Sequence, residues 1–202
     1  MANVLIIYAS RNGQTRKIAE RIATVLRLRR HGVELLDAGR LPPTLDLSRV
    51  QAVLVGSPII ATGYLRPIVR FVQEYRPALQ RVPTLFFSVG LALLSKVSDG
   101  RAQTMKIVDR FIAQTGWRPG RVELVAGALP YTKYNFLVRF LMRRIARKEG
   151  GETDTSRDHE YTDWGAVDRF ALEFVERATR RPAPASEDQA VPLRVSGSLA
   201  RA

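Results

Sequence analysis

Short apolar runs and amphipathic stretches alternate along this chain. Asn3–Tyr8, Val50–Val55, Thr84–Val89 and Val122–Ala126 are nearly continuous apolar runs, as expected of strands buried on both faces. Val33–Asp37 reads as a shorter strand. Between them the period changes from two to 3.6. Gln14–Arg30 places Ile18, Ile22, Val25 and Leu26 on one helical face, with Gly32 just past its end. Pro67–Tyr75 gathers Ile68, Val69, Phe71 and Val72, and Ala102–Thr115 stops near Gly116. Trp164–Arg177 is the closing helix, with Asp163 or Thr162 as its cap. Repeated strand–helix–strand units predict a doubly wound parallel sheet of five strands, order 2-1-3-4-5, with helices on both faces.

The junction of the first strand and first helix holds the most chemistry. Ser10-Arg11-Asn12-Gly13-Gln14-Thr15 ends the apolar run and opens the helix at once. Helix N-termini carry N–H groups without intrahelical acceptors and a partial positive charge, so such a turn can hold a phosphate. Ser10 and Thr15 add hydroxyls, Asn12 an amide, and Gly13 permits close backbone approach. The same residues also serve as ordinary helix caps. Neither a GxGxxG nor a GxxxxGK[ST] pattern is present in the loop. The loop resembles the flavodoxin phosphate loop, Ser/Thr-x-Thr/Asn-Gly-x-Thr, and so implies the monophosphate of FMN and a flavodoxin-like fold.

In an open parallel sheet, ligands bind beyond the carboxyl ends of the strands where strand order reverses. Two more loops are expected there. One is Gly56-Ser57-Pro58-Ile59-Ile60-Ala61-Thr62-Gly63-Tyr64, the other Ser88-Val89-Gly90-Leu91-Ala92-Leu93-Leu94. Their small residues and glycines suit a flat ring lying against backbone, and Tyr64 could stack on it. We therefore assign residues 57–64 and 88–93 to the ring, with Ser57, Tyr64, Ser88, Val89, Gly90 and Leu91 as contacts.

Composition narrows the chemistry. The 202 residues are 46% hydrophobic and contain no cysteine, which excludes disulfides, thiolate ligands and a cysteine nucleophile. Apolar runs stay well short of the roughly 20 residues needed to span a bilayer. The N-terminus lacks a secretory pattern, so a cytoplasmic location is expected. Of the two histidines, His31 follows an Arg-Arg run at a helix end, and His159 lies in the polar stretch 156–160. Neither has a partner pattern, and metal-ligand spacing is missing. The carboxylates Glu152, Asp154, Asp158 and Glu160 read as a solvated loop. A chain poor in acid–base groups can still be an enzyme if a cofactor carries the reaction.

Net charge is +13, with 27 arginines and 5 lysines. Soluble flavodoxin-type electron carriers are usually acidic, so a different partner is expected, such as anionic lipid or an acidic small molecule. Nucleic acid is not expected, because a nucleic-acid-binding motif is missing. A segment of about 129–160, with a basic and aromatic-apolar stretch, separates the fifth strand from the closing helix. If it is helical, Arg139, Arg143 and Arg147 form one stripe, and Leu137, Leu141 and Ile145 another. Phe136 and Phe140 fall beside the arginines. Such a helix suits an anionic membrane surface, or a mouth for a large apolar substrate bearing carboxylates; it could equally pack on the domain with its arginines outward. Residues 1–180 are expected to form the FMN-binding domain, and 181–202, rich in Pro, Ala, Ser and Gly, a disordered tail.

Several further motifs resemble one family, the flavodoxin-type, quinone-dependent protoporphyrinogen oxidases. They are Arg11-Asn12-Gly13-Gln14-Thr15-Arg16, Phe87-Ser88-Val89, Trp117-Arg118-Pro119 and Ala126-Gly127-Ala128-Leu129-Pro130-Tyr131. Gly150-Gly151-Glu152-Thr153-Asp154-Thr155 and Tyr161-Thr162-Asp163-Trp164 complete the set. The resemblance runs from about Val4 to Arg177. It implies FMN, oxidation of protoporphyrinogen IX to protoporphyrin IX in haem synthesis, menaquinone or ubiquinone as acceptor, and peripheral attachment to the cytoplasmic face of the inner membrane. Substrate propionates would face Arg139 and Arg143. The residues alone leave open a general NAD(P)H quinone reductase, a non-catalytic electron carrier, or a flavin-free interaction module.

Overall fold

The computed structural model describes residues 1–95, 99–129, 131–133, 140, 144, 147 and 154–180, and the backbone of 193–195. Five parallel strands form its centre: β1 (Asn3–Tyr8), β2 (Gly32–Asp37), β3 (Ala52–Ile60), β5 (Thr84–Gly90) and β6 (Arg121–Ala126). Their order is β2-β1-β3-β5-β6, as the alternation of patterns predicted. Register is continuous across the middle of the sheet, with Ile6 beside Leu54, and Leu54 beside Leu85.

Alternation of side chains along the strands divides the core into two layers. On one face Ile6, Leu54, Leu85 and Phe87 pack against Ile18, Ile22 and Leu26 of α1 (Gln14–Leu28) and Phe170 and Phe174 of α5 (Trp164–Arg180). On the other, Leu5, Ile7, Val53, Val55 and Phe86 meet α2 (Arg66–Glu74), the short α3 (Arg76–Leu79) and α4 (Gly100–Thr115). Asp163 caps α5, accepting from the Ala166 N–H at 2.9 Å.

Two features depart from the sequence pattern. The first is β3, which does not stop at Val55 but continues through Gly56-Ser57-Pro58 to Ile60. Gly56, Ser57 and Pro58 look like a loop because they break the apolar run. The ladder nevertheless continues, with Ser57 beside Ser88 and Pro58 beside Val89. Pairing of β1 with β3 ends at Gly56, so Pro58 lies beyond the last rung on that side, where a missing N–H is tolerated. Gly56 is required by packing: a Cβ there would lie 1.9 Å from Cζ of Phe87. The extended strand then folds back in a tight hairpin with β4 (Gly63–Tyr64). The second departure is in the stretch read as a disordered tail, where Leu193–Val195 (β9) run parallel to β6.

Residues 127–129, 131–133 and 154–161 lie together at the end of β6. β7 (Ala128–Leu129) pairs antiparallel with β8 (His159–Glu160). Thr132 donates through its N–H and its hydroxyl to one oxygen of Asp158, at 2.9 and 2.8 Å. The Tyr131 ring is fully buried and meets the His159 ring edge-on at 5.9 Å. The separation of β6 from the closing helix, read from sequence, thus begins at an ordered base.

Candidate functional site

The carboxyl ends of β1, β3, β5 and β6 surround a cleft of about 670 Å³. This size is in the usual range for cofactor sites. One pole is the turn from β1 to α1, lined by Ser10, Arg11, Asn12, Gln14 and Thr15. Gly13 stands behind them with φ of 96°, a left-handed conformation that favours glycine and lets the chain enter the helix abruptly. The Gly13 N–H donates to Ser10 Oγ at 3.0 Å, so the Ser10 hydroxyl keeps its own proton for another acceptor. The first intrahelical bond runs from Lys17 N to Gly13 O at 3.0 Å. The N–H groups of Gln14, Thr15 and Arg16 lie ahead of it. The first turn of α1 contains no acidic residue.

The donor set suits a phosphate. It offers hydroxyls, an amide, a guanidinium and the positive end of a helix, and no described carboxylate lines the cleft. Arg11 is the sole ionisable side chain among the described lining residues. The nearby cations Arg16 and Lys17 turn away, to Glu20 at 2.8 Å and Glu160 at 3.1 Å.

The rest of the cleft is apolar and backbone-rich. Pro58, Ile59, Ile60 and Ala61 form one wall, and Val89, Gly90, Leu91 and Ala92 another. Ala61, at the hairpin tip, has φ of 54°, an uncommon value for a residue with a Cβ. Gly90 and Ile59 are close neighbours: a Cβ at 90 would approach Ile59 Cδ1 to 3.2 Å. These surfaces can hold a flat ring between main-chain segments.

Of the residues assigned to cofactor binding from sequence, Ser10, Arg11, Asn12, Gln14, Thr15, Val89, Gly90 and Leu91 line the cleft. Ser57, Tyr64 and Ser88 do not. The reason is strand alternation. Ser57 and Ser88 occupy register partners whose side chains share the face of Val55 and Phe86. The Tyr64 ring packs edge-on against Phe86 at 5.0 Å and Phe111 at 4.9 Å, and its hydroxyl bonds Ser88 Oγ at 2.7 Å. Burial pushes the Tyr64 phenol well above its ordinary value, so it stays protonated. Ser57 Oγ accepts from the Leu65 N–H at 3.4 Å. The three residues therefore support the hairpin from beneath, and the Tyr64 ring packs against Phe86 and Phe111 outside the lining of the cleft.

Gln103 and Ile107 of α4, and Gly127 and Ala128 after β6, also line the cleft and were missed. Gly127 and Ala128 follow a strand end and could have been found by applying the strand-end rule to the fifth strand. For Gln103 and Ile107 the sequence carries no signal, because the tilt of α4 toward the cleft is tertiary. Of the arginines assigned to substrate or membrane, Arg139 and Arg143 lie outside the described residues. Arg147 is helical and exposed, as are Phe140 and Arg144. Among the described residues no helix is long and apolar enough to cross a membrane.

Comparison with known proteins agrees with this geometry. A family model described as a flavodoxin domain matches residues 5–156. The chain is 32% identical over 170 residues to "Protoporphyrinogen IX dehydrogenase [quinone]" of Escherichia coli K12, covering 84% of this chain and 93% of that protein. A protein of the same name from Leishmania major is 33% identical over 174 residues, 84% of this chain and 73% of that one. Among solved structures, oxidised flavodoxin 1 from Bacillus cereus superposes with a TM-score of 0.53 at 15% identity, covering 87% and 98% of the two chains. A WrbA-like flavodoxin from Agrobacterium tumefaciens gives 0.52 at 12% identity, covering 89% and 99%. The structural matches carry the fold alone. The sequence relatives carry more: this chain is a flavodoxin-domain protein that belongs to the protoporphyrinogen IX dehydrogenase [quinone] family.

Proposed function

We propose that this protein binds FMN and oxidises protoporphyrinogen IX to protoporphyrin IX, with a membrane quinone as electron acceptor, in haem biosynthesis. The observation that carries this reading is a cleft with a donor-rich anion pole and an apolar pole, found in a chain whose full-length relatives bear this activity in their name. Bound FMN would supply two-electron redox chemistry. The conversion releases six electrons and six protons, so it takes three rounds, each closed by reduction of one quinone to its quinol.

The residues of the chain bind and orient. Ser10, Asn12, Gln14, Thr15 and the first turn of α1 hold the phosphate, with Arg11 balancing its charge. Pro58–Ala61 and Val89–Ala92 flank the ring. The apolar wall reaching Ile107 receives the macrocycle and excludes water from its contact face. Arg11 is a permanent cation, so the described lining residues include no general base. Protons leaving the macrocycle pass to water or to a nearby group.

The membrane assignment rests on Phe140, Arg144 and Arg147, which are exposed and spaced as one face of a helix. An exposed phenylalanine beside arginines suits an anionic lipid surface, where a quinone is reached. Co-sedimentation with anionic vesicles should weaken as salt rises. Arg144→Glu/Arg147→Glu should weaken it further, and unchanged binding would remove this anchor from the account.

The function is tested by anaerobic mixing of the purified yellow protein with protoporphyrinogen IX. Bleaching of the flavin absorption by porphyrinogen, and its return on adding menaquinone or ubiquinone, is expected. Bleaching by NADPH but not by porphyrinogen would instead assign a general quinone reductase.

A further inference from the structure

The motif Tyr161-Thr162-Asp163-Trp164 has no part in the binding scheme above, yet it joins the two poles of the cleft. Thr162 is buried, 9% exposed, and its hydroxyl donates to the Ala126 carbonyl at 2.8 Å. That bond commits its single proton, so toward Gln14 it acts as acceptor, and Gln14 Nε2 donates to it at 2.9 Å. Gln14 is the first residue of α1 and lines the anion pole beside Thr15.

The other end of the connection reaches the ring pole. The Gly127 N–H donates to Gly90 O at 3.2 Å, and the Tyr161 N–H donates to Gly127 O at 3.0 Å. Gly90 and Gly127 both line the cleft. A continuous path thus runs from the Gln14 side chain through Thr162, residues 126–127 and Gly90. A second tie runs alongside: Glu160 bonds Trp164 Nε1 at 2.9 Å with one oxygen and Lys17 at 3.1 Å with the other. That pair is exposed and contributes little.

We propose that Thr162 is a positioning residue that sets the spacing between the anion pole and the ring pole of the cleft. The proposal rests on the FMN reading above. A ligand that spans both poles depends on this spacing, whereas one that occupies a single pole does not. Preorganisation of this kind raises affinity by removing the cost of ordering the site on binding.

The experiment compares FMN with riboflavin, which lacks the phosphate, in fluorescence titrations of the full chain. Thr162→Val keeps the shape and removes the hydroxyl. It should weaken FMN binding about tenfold, the scale of one or two neutral hydrogen bonds. Riboflavin binding should change less than about twofold, and Thr162→Ser should restore FMN binding. In combination with Gln14→Leu, Thr162→Val should add nothing further, because both break the same path. Equal losses for FMN and riboflavin, or losses that add in the double variant, would overturn the proposal and leave Thr162 a packing residue. So would undiminished FMN binding by Thr162→Val. A wild-type chain that binds no FMN would overturn the functional reading, and the proposal with it.

Discussion

The turn after β1 and the hairpin after β3 face each other across one cleft, and they are built on different principles. The first is local. Residues 10–15 obey strand-end, left-handed glycine and helix N-terminus rules within six positions, with Ser10 Oγ accepting from Gly13 N–H. The hairpin is shaped from below. Its conformation depends on Tyr64 lodged against Phe86 and Phe111, and on the bond from Tyr64 to Ser88. A local site tolerates changes elsewhere in the fold, whereas a supported one inherits them.

The largest effect should come from the support. Phe111 stacks on Phe86 at 5.0 Å and meets Trp117 at 6.2 Å, so Phe111→Ala should cost about 3–5 kcal/mol of stability in chemical denaturation. The flavin site should fail with it at the ring pole while the anion pole persists. A variant of undiminished stability would mean the hairpin does not lean on this cluster.

Next comes the local site. Ser10→Ala/Thr15→Ala removes two hydroxyls facing a dianion, and FMN binding should fall about a hundredfold, at about 1.5 kcal/mol for each charge-assisted bond. Thermal melting of the flavin-free chain should shift far less than for Phe111→Ala. An unchanged FMN affinity would place the phosphate elsewhere.

Tyr64→Phe separates the two regions more finely. It keeps the ring and deletes the bond to Ser88, so it should cost about 1–2 kcal/mol of stability and alter FMN affinity by less than about threefold. The reverse outcome, intact stability with a perturbed flavin spectrum, would put this ring in the cleft after all.

This contrast also explains what could be read from the sequence. The five-strand order and the turn at 10–15 follow from periodicity and nearest neighbours. That Ser57, Tyr64 and Ser88 lie outside the cleft lining was not legible, because glycine and serine after an apolar run look alike whether the chain loops out or continues as a strand. Only pairing with β5 decides which, and pairing is not local. Gln103 and Ile107 were invisible for the same reason: nothing in Ala102–Thr115 says which helix end leans over the cleft. Leu193–Val195 were read by the composition of their neighbours, and their pairing with β6 is a non-local contact that composition does not carry.

The smallest effect lies farthest from both regions. Burial pushes the His31 imidazole below its ordinary value, the N-terminal ammonium adds to this, and Glu176 opposes it. Its Nδ1 accepts from the Ala2 N–H at 3.2 Å, which requires that nitrogen to be unprotonated. The unfolded chain therefore takes up the proton first. His31 contributes stability that is fully present above about pH 6.5 and declines as pH falls from there to the depressed folded value. His31→Gln should flatten that part of the stability–pH profile without changing FMN affinity. A slope that survives the substitution would assign it to another group.

The central claim is that this cleft holds FMN as the redox group for a porphyrinogen. Its most direct test is anaerobic turnover of the FMN-loaded chain with protoporphyrinogen IX and a quinone, following porphyrin fluorescence and quinol together. The account predicts three quinols per porphyrin, with both products lost in Ser10→Ala/Thr15→Ala and recovered as FMN is raised. Porphyrin formation that proceeds equally without bound FMN, or an FMN-loaded chain that reduces quinone only with NADPH, would contradict it.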